Sequence, residues 1–547
     1  MSKDKLSHVE TIKTQSDGLR GTLSQSLVDN HTGNVRPDDE ALIKFHGMYV
    51  QDDRDRRQER AEKKLDKLYS FMIRLRIPGG VISAKQWQAI HEVSELYGTG
   101  VLKITTRQTI QLHGLLKHQL SDTIQGFLTA KLDAIAACGD VNRNVICSSH
   151  PQVSPVFEQI HNYADKISEM LLPKTQSYYE IWIDNQKIYD RSVESDPLYQ
   201  DRYLPRKFKI AIAIPPTNDV DVFANDIGLI AIVENDQLIG FNLAIGGGLS
   251  TTHGNKDTYS RLATVIGFCS SESDILKLIY HVLTIQRDYG NRSDRKLARL
   301  KYTLDKMGVE NFVKELEKRA AVELKAAKSY TFTERNDRYG WQQAHDNKWY
   351  YTLFVENGVV TPNQKEFLFN LSKLGLSDFK FTCNQNLILG EIALEDKWQV
   401  EKLLTQYNIG QNISNLRQSS MSCVALPTCP LALAEAQRYL PELITKIEPL
   451  LVKHKIDQED ISIRMTGCPN GCGRSYLAEI GFVGTAPEEY NLMLGADRYG
   501  TRLNQIYKSK IKEPEILQEL DYLFGLYKKE ALDHETFGDF SFRKFFN

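Results

Sequence analysis

Four short segments that alternate apolar and polar residues form two matched pairs along the chain. Phe71–Arg76 and Tyr351–Val355 have the pattern of half-buried strands, and each is followed by glycine and β-branched residues. Lys103–Ile110 resembles Lys380–Leu387, and we predict each as one strand. The offset between the copies is nearly the same in both comparisons. The pattern therefore predicts an internal repeat of two related α+β units.

The two units are predicted over residues 67–135 and 341–409, with a pseudo-twofold arrangement that places a large ligand between them. Between them lies a long α/β stretch. Its segment Lys207–Ile214 alternates before two prolines and is predicted as a strand. A period of two places Lys207 and Lys209 on one face of that strand.

A glycine run, Gly246–Gly248, marks a place where the backbone approaches another group closely. It is not a dinucleotide-binding fingerprint, because the glycine spacing differs and no strand-turn-helix context is evident. The sequence shows no other sign of a nicotinamide or flavin domain. We therefore predict that electrons for any redox reaction come from another protein.

Residues 1–66 lack sustained apolar periodicity and end in a dense charge run over 52–64. Such a run is most often a solvated arm or the start of a helix. The alternative is an arm that docks a partner or wraps around a domain.

The chain has 547 residues, of which 68 are lysine or arginine and 70 are aspartate or glutamate, so the formal net charge is −2. This balance does not favour binding to nucleic acid or to an anionic membrane. The sequence has no apolar stretch of the signal-peptide type and no run near the ~18 apolar residues of a membrane span. Its eight cysteines are too few for a disulfide framework in so long a chain. We predict a soluble cytoplasmic protein that binds neither nucleic acid nor membrane.

Four of the cysteines form two clusters in loops rich in proline and glycine, namely Cys423 with Cys429 and Cys468 with Cys472. Four thiolates that converge from two loops can hold a cubane iron–sulfur cluster. A structural zinc site also takes four thiolates, but it favours gaps of about two to four residues between paired ligands. The spacing favours iron–sulfur and leaves zinc as the alternative.

Polar residues recur at alternate positions in the segment Thr105–His113. If this segment is one strand, the side chains of Thr105, Arg107, Gln111 and His113 share a face. We expect that face to line a pocket. A solvated sheet face is the alternative.

Taken together, several segments resemble the sirohaem-containing nitrite and sulfite reductase family, and the likeness runs from about residue 18 to Phe540. Besides the two cysteine clusters, the segments are Phe45–Tyr49, Pro78–Ile82, Thr105–His113, Asn142–Asn144, Leu204–Lys209 and Gly246–Asn255.

The resemblance implies an α+β fold with two ferredoxin-like half-repeats related by a pseudo-twofold axis, plus two mixed α/β domains that bind the cluster and sirohaem. The expected domains are an N-terminal arm (1–66), half-repeat 1 (67–135), a sirohaem- and substrate-binding α/β domain (136–340), half-repeat 2 (341–409) and an iron–sulfur cluster and sirohaem-binding domain (410–547).

The resemblance also implies two cofactors, a [4Fe-4S] cluster and sirohaem. The cluster ligands would be the four clustered cysteines, and Cys472 would also be the axial ligand of the sirohaem iron. The macrocycle carries eight carboxylates, whose burial requires cations and hydrogen-bond donors. The residues implied to contact it are Thr105, Arg107, Gln111, His113, Arg206 and Asn470.

Four basic residues are implied to bind the substrate anion, namely Arg76, Arg143, Lys207 and Lys209. Cationic groups hold an oxyanion and help to deliver protons to it. Because the lysine ammonium is mobile and more easily deprotonated, we expect the two lysines to be the more direct proton donors. Without the resemblance, Lys207 and Lys209 would be interpreted as protection of an edge strand.

The implied reaction is the six-electron reduction of sulfite to sulfide, and the match favours the NADPH-linked assimilatory branch of the family. A flavoprotein subunit would then oxidise NADPH and supply the electrons within a hetero-oligomer. The alternatives are a nitrite reductase that forms ammonia and, in a different class, a non-catalytic metal-binding module.

Overall fold

The computed structural model describes residues 6–150, 154–182, 196–410 and 413–547. Its strands are β1 Met48–Asp52, β2 Tyr69–Arg74, β3 Val81–Ile82, β4 Leu102–Ile104, β5 Ile110–Leu115, β6 Ile146–Cys147, β7 Ile210–Ala213, β8 Ile227–Glu234, β9 Gln237–Ile245, β10 Thr264–Cys269, β11 Gly340–Gln343, β12 Trp349–Leu353, β13 Asp378–Phe381, β14 Leu387–Ile392, β15 Ser420–Ser422, β16 Ile463–Thr466, β17 Ile480–Ala486, β18 Glu489–Leu494 and β19 Gln505–Ile511.

Helices cover the sheets and form the N-terminal arm. They are α1 His8–Gln15, α2 Leu23–Val28, α3 Asp39–Leu42, α4 Arg57–Glu62, α5 Ala84–Leu96, α6 Leu120–Thr129, α7 Phe157–Met170, α8 Ser177–Trp182, α9 Glu272–Tyr289, α10 Leu300–Met307, α11 Val309–Ala320, α12 Pro362–Leu374, α13 Lys397–Gln406, α14 Asn415–Gln418, α15 Leu440–His454, α16 Glu513–Glu530 and α17 Phe537–Phe545. Among the described residues, every helix is too short or too polar to cross a lipid bilayer.

The strands form four sheets that fall into two similar pairs. The half-repeat sheets have the orders β1-β2-β5-β4 and β11-β12-β14-β13-β3. The other two sheets, β10-β9-β8-β7-β6 and β15-β16-β17-β18-β19, share one topology, with two parallel pairings followed by two antiparallel ones. We call these two sheets and their helices the first and second α/β modules. The predicted α+β class with an internal repeat is confirmed.

The half-repeats agree in local detail as well as in strand order. Helix α5 begins after a capping box of Ser83 and Gln86, and helix α12 begins after a capping box of Thr361 and Gln364. In a capping box the two side chains satisfy backbone N–H groups that the first helical turn leaves free. The same start signal therefore recurs at the same place in both copies.

Each half-repeat also contributes backbone to the other. Strand β3 leaves the first half-repeat and pairs with β13 of the second, with Ile82 opposite Phe379. In return, Val359 of the second half-repeat forms a bridge with Lys103 of the first. Gly80 and Gly358 precede the two crossings, with φ of 75° and 74°. The reciprocal crossing holds the two half-repeats together as one unit.

The prediction of one continuous strand from Lys103 to Ile110 is wrong, because a turn interrupts it. Strand β4 ends at Ile104 and β5 begins at Ile110. Within the turn, the Thr105 hydroxyl accepts a hydrogen bond from the Arg107 N–H at 3.2 Å, and Gln108 has a left-handed φ of 51°. Such a local side-chain hydrogen bond stabilises a turn against an extended strand.

The second half-repeat has the same turn. Thr382 accepts from the N–H of Asn384 at 3.2 Å, and Gln385 has a φ of 69°. Strand β13 ends before this turn and β14 follows it. The predicted strand Lys380–Leu387 is therefore also two strands.

The strand predicted from Lys207 is shorter than expected, since β7 begins at Ile210. Lys207 and Lys209 therefore lie in the segment that leads into β7. This strand pairs with β6 on one side and with β8 on the other, so it is an interior strand. The alternative of edge-strand protection for the two lysines is therefore wrong.

The N-terminal arm packs against the first α/β module through buried charges. Glu10 and Lys13 of α1 are almost fully buried. The Lys13 ammonium donates to Glu10 at 2.5 Å and to the carbonyl oxygen of Leu204 at 2.7 Å, and Glu10 also pairs with Arg292. This part of the arm wraps a domain, whereas the later charge run in α4 has no buried residue.

We expect the left-handed glycine at the second crossing to be more sensitive to substitution than an open left-handed glycine. An added Cβ at Gly358 would lie 2.2 Å from the carbonyl oxygen of Ile104, whereas Gly375, with a φ of 66°, has nothing within 4 Å. Gly375→Ala should cost about 1–2 kcal/mol for the backbone conformation alone. Gly358→Ala should cost about 2 kcal/mol or more in addition, because the crossing must shift. Urea unfolding of the two variants tests this, and equal losses would contradict it.

Candidate functional site

A cavity of about 450 Å³ lies where the arm, half-repeat 1 and both α/β modules meet. All four clustered cysteines line it. Its polar lining comes from Lys44, Tyr49, Gln51, Arg74, Gln111, His113, Asp140, Arg143, Arg206, Lys207, Arg295 and Asn470. We call it the main cavity. Thiols on one side and basic groups on another give it two chemically distinct parts.

The fold places the cysteines in two loops that leave neighbouring parallel strands. Cys423 directly follows β15, and Cys468 comes two residues after β16. Since parallel strands end at the same edge of a sheet, the two loops start side by side. The N–H of Gly467 donates to Cys423 Sγ at 3.4 Å, and the Asn470 amide donates to Cys468 Sγ at 3.4 Å.

The thiol arrangement fits a cubane core better than a single metal ion. Among the described residues, no three His, Cys, Asp or Glu side chains converge closely enough to hold one ion. A structural zinc ion needs four ligands at about 2.0–2.3 Å. A cubane cluster instead takes one thiolate at each of four separate irons, so its ligands lie farther apart.

Burial makes the site unfavourable for thiolates unless a cation is bound there. Burial raises the pKa of Cys429 to about 11, and it also raises the pKa of Cys423 and Cys468, with the neighbouring cysteines adding to the shift. A bound iron core supplies the positive charge that stabilises thiolates. The donor set therefore fits an iron–sulfur cluster.

The basic side of the main cavity contains more cations than carboxylates. Arg143 is held by the carbonyl oxygens of Gly139 at 2.8 Å and Ala137 at 3.2 Å. Among the described residues, Asp140 is the one carboxylate in the lining, and it pairs with Arg295 at 2.7 Å and, more distantly, with Arg206 at 4.0 Å. A ligand with several carboxylates fits this surplus of positive charge.

A neutral histidine network orients Arg74 at the cavity wall. With the Gln111 amide oxygen facing Arg74, it accepts from Arg74 Nε at 2.9 Å, and the amide nitrogen donates to His113 Nε2 at 3.1 Å. His113 Nδ1 then donates to the side-chain oxygen of Gln51 at 3.1 Å. Burial, together with the nearby Lys103 and Arg74, lowers the pKa of His113 well below its ordinary value. The network thus needs a neutral imidazole.

A second, smaller cavity adjoins the main one. Lys207, Asn470 and Cys472 line both cavities. The second cavity is also lined by the basic groups Arg107, Lys209, Arg299 and Arg474. Burial and then Arg206 lower the pKa of Lys207 to about 7, and burial and then Lys207 lower the pKa of Lys209 well below its ordinary range. A thiol and two easily deprotonated lysines thus meet at the junction.

Most of the residues predicted from the sequence line one or both cavities. Gln111, His113, Arg143, Arg206, Lys207, Asn470 and the four cysteines line the main cavity, and Arg107 and Lys209 line the second. Arg107 donates to the side chain of Asn225 at 2.9 Å and to the carbonyl oxygens of Asn144 at 2.5 Å and Ile210 at 3.1 Å. Its Nε has no partner among the described residues.

Thr105 and Arg76 line neither cavity. The Thr105 hydroxyl is engaged within its turn. Arg76 faces away and binds the Asp133 carboxylate through two hydrogen bonds of 2.9 and 2.5 Å, and it donates to Ser168 at 3.2 Å. The expectation that four alternating side chains share one strand face therefore fails at Thr105 and Arg107, because both lie in the turn.

Arg74 lines the main cavity where Arg76 was expected. Both arginines occur in the apolar-polar alternation, so the sequence alone does not distinguish them. The pairing of strands does, since Arg74 lies opposite Gln111 in the sheet. Four further lining residues have no local sequence signal, because they become neighbours only through the tertiary fold, namely Lys44, Tyr49, Arg295 and Arg299.

Family models match three parts of the chain. The model described as nitrite/sulfite reductase ferredoxin-like half domain matches residues 63–129 and 342–407. The model described as nitrite and sulphite reductase 4Fe-4S domain matches residues 163–324. The latter match lies in the first α/β module, while the four clustered cysteines lie in the second module, which has the same strand order.

Curated relatives match along nearly the whole chain. A protein of Leptospira biflexa serovar Patoc, named sulfite reductase [NADPH] hemoprotein beta-component, is 57% identical, and the match covers 97% of each chain. A protein of Bacillus subtilis with the same name is 49% identical over 98% of this chain and 95% of its own. Among solved structures, the Mycobacterium tuberculosis NirA protein has the same fold, with a TM-score of 0.81 and 22% identity over 99% of this chain and 97% of its own. The chain therefore belongs to the nitrite and sulfite reductase family.

Proposed function

We propose that this protein is the haemoprotein component of an NADPH-linked assimilatory sulfite reductase and reduces sulfite to sulfide with six electrons. The observation that carries the proposal is the junction of the two cavities, where Cys472 lies beside Lys207 and Asn470. A redox centre held by the cysteine would there adjoin a cationic binding site for a small anion. The names of the relatives support sulfite as that anion.

The residues that would hold the cofactors follow from the lining of the cavities. The four clustered cysteines would ligate a [4Fe-4S] cluster, and Cys472 would also bind the sirohaem iron. Gln111, His113, Arg107, Arg206 and Asn470 would contact the macrocycle, in part by offsetting its carboxylates. When bound, the coupled centres supply electrons one at a time.

We assign the substrate anion to Arg74, Arg143, Lys207 and Lys209, with Arg74 in place of Arg76. An arginine offers a planar fork of donors that suits an oxyanion, and Arg143 is already fixed by two carbonyl oxygens. A lysine with a pKa near neutrality can give up a proton at the pH of the cell. The arginines would therefore hold the anion, and the lysines would hold and deliver protons to its oxygens.

The electrons would come from a separate flavoprotein subunit that oxidises NADPH, so the working assembly would be a hetero-oligomer. Two observations support this proposal. The names of the relatives specify a beta-component and NADPH, and the sequence lacks a dinucleotide fingerprint. A cytoplasmic location is part of the proposal, since thiols there stay reduced.

Turnover with a chemical electron donor tests the function directly. We expect the purified chain to contain about four non-haem irons and one tetrapyrrole iron. It should form sulfide from sulfite with a higher kcat/KM than it forms ammonia from nitrite. It should not use NADPH without a flavoprotein. A preference for nitrite would favour the family's other activity, and zinc as the sole metal would indicate a non-catalytic module.

The two neighbouring arginines should have separable roles. Arg74→Met removes a charge-assisted contact to the anion, worth roughly 1.5–3 kcal/mol, and should lower kcat/KM for sulfite about ten- to a hundredfold with both cofactors retained. Arg76→Met leaves the Asp133 carboxylate without its ion-pair partner and should lower the free energy of unfolding by about 1–3 kcal/mol. Its kcat/KM should stay near that of the unmodified protein. A loss of sulfite turnover in Arg76→Met, with near-normal turnover in Arg74→Met, would assign Arg76 to the substrate site instead.

Substrate binding should weaken as pH rises through about 7, because the ammonium of Lys207 has a lowered pKa of about 7 and carries its charge only below that value. Lys207→Arg keeps the charge at every pH in the range 6–9. Relative to this variant, the KM for sulfite of the unmodified protein should rise with pH, by up to about tenfold per unit for one titrating group. The titration of sulfite itself affects both proteins equally. A constant KM ratio from pH 6 to 9 would contradict this role.

A further inference from the structure

Three arginines surround one buried carboxylate where the two α/β modules meet. Asp221 accepts hydrogen bonds from Arg335 Nε at 2.7 Å and from Arg464 Nη1 at 2.8 Å, and it forms an ion pair with Arg474 Nη1 at 2.7 Å. All four residues are buried, and Asp221 and Arg464 are no more than 1% exposed. We call this group the arginine cluster. It plays no part in the proposed binding of sulfite.

The cluster carries more positive than negative charge. The other partners of Arg335 and Arg474 are neutral, chiefly the carbonyl oxygens of Leu477 at 2.6 Å and Cys383 at 2.5 Å. Each of the three arginines also has one buried nitrogen without a hydrogen-bond partner among the described residues. The nearby Asp219 carboxylate binds two serine side chains rather than a guanidinium. Even with Asp219 counted, the cations outnumber the carboxylates.

All three guanidinium groups carry their charge, because arginine is not deprotonated in folded proteins. Burial alone would raise the pKa of Asp221, but Arg335, Arg474 and Arg464 hold it well below its ordinary value. Burial and the neighbouring Arg335 lower the pKa of Arg464, and Asp221 opposes this shift. The carboxylate is therefore ionised and offsets only one of the three charges.

The cluster lies directly behind the loops that carry the cysteines. Arg464 is on β16, which leads into the Cys468 loop, and it lies opposite Met421 on β15, two residues before Cys423. Arg474 is two residues after Cys472 and lines the second cavity with it. Two of the three charges are thus close along the chain to Cys468 and Cys472, and strand pairing brings one of them near Cys423.

The internal symmetry of the protein explains why these charges meet. Asp221 precedes a short 3-10 turn before β8, and Arg474 precedes the corresponding turn before β17. Both have left-handed backbone conformations, with φ of 48° and 58°. The two residues occupy equivalent positions in the two modules and form an ion pair across the pseudo-twofold axis. The pairing of the modules therefore fixes a cation of the second module under the cysteine loops.

We infer that Arg335, Arg464 and Arg474 raise the reduction potential of the iron–sulfur cluster by placing uncompensated positive charge behind its cysteine loops. This inference rests on the proposed cluster site. An electron added to a cluster with four thiolates increases its negative charge, and nearby buried cations stabilise that charge in a medium of low dielectric constant. The arginines act on the cluster through the electric field of their charges and through the conformation of the cysteine loops. They are therefore positioning residues.

A redox titration of the cofactor-loaded protein, followed by the electron paramagnetic resonance signal of the reduced cluster, tests the inference. In Arg464→Met, Asp221 keeps two arginine partners, so the fold should survive. The equilibrium constant for one-electron reduction should fall about tenfold or more, which corresponds to 59 mV for one electron. Arg464→Lys keeps the charge and should recover most of that change. A purely structural role would not distinguish the two variants in this way.

Removing a negative charge from the arginine cluster should shift the reduction potential in the opposite direction to removing a positive charge. Asp221→Asn removes the carboxylate that pairs with all three arginines and should make reduction easier. Because that variant leaves three buried cations together and can fail to fold, Arg335→Met provides a second charge removal in the same direction as Arg464→Met. Arg543→Met is the matched control, since its partner Glu535 binds it at an exposed site where solvent screens the charge. The reduction potential of the cluster in Arg543→Met should equal that in the unmodified protein.

The outcomes separate this inference from the proposed cofactor site. Absence of iron and sulfide from the unmodified protein would overturn the cluster site itself. An intact cluster with an unchanged potential in both Arg464→Met and Arg335→Met would overturn only the role of the arginines. Loss of the cluster in both variants would assign the arginines to cluster assembly and would also overturn the inference.

Discussion

Backbone pairing between the half-repeats runs in both directions, from Ile82 to Phe379 and from Lys103 to Val359. Neither half-repeat can rotate against the other without breaking backbone pairs at both crossings. Each crossing also begins at a glycine packed against the backbone of the other half-repeat. The turns at 105–109 and 382–386 are thereby fixed in space. Through these turns, Arg107 reaches the first α/β module and Arg474 of the second module reaches half-repeat 2. The interlocked backbone thus sets the frame in which both cavities form.

Positive charge gathered in a protein interior is costly unless something offsets it. In the main cavity Asp140 offsets part of the charge, and the lowered pKa values of Lys207 and Lys209 record the remaining cost. Anionic ligands would remove that cost on binding, so the same surplus of positive charge favours a carboxylate-rich macrocycle and an oxyanion. Gathering cations at such a site lowers the stability of the fold and raises the affinity of the site for anions.

The sequence identified the repeat, the cysteines and most of the basic groups, because each has a local signal such as alternation or spacing. It did not identify the turn at 105–109, since a left-handed Gln108 has no distinctive sequence signature and the flanking residues alternate as a strand does. The choice between Arg74 and Arg76 depends on which of them faces Gln111 on a neighbouring strand. The contribution of the arm to the cavity depends on buried charge pairs with distant residues. Information of this kind arises only when separate segments pack together.

The arm also bears on the order of events during synthesis. The ribosome makes Glu10 and Lys13 first, but their partners Asp140, Leu204 and Arg292 emerge much later. Until then the Glu10–Lys13 pair remains in water, because burying it without Asp140 and Arg292 is unfavourable. The arm therefore docks, and Val9 joins the wall of the main cavity, only after residue 292 has been made. The cysteine loops of the same cavity are made later still, so the cavity cannot enclose a rigid macrocycle before the second α/β module has been translated.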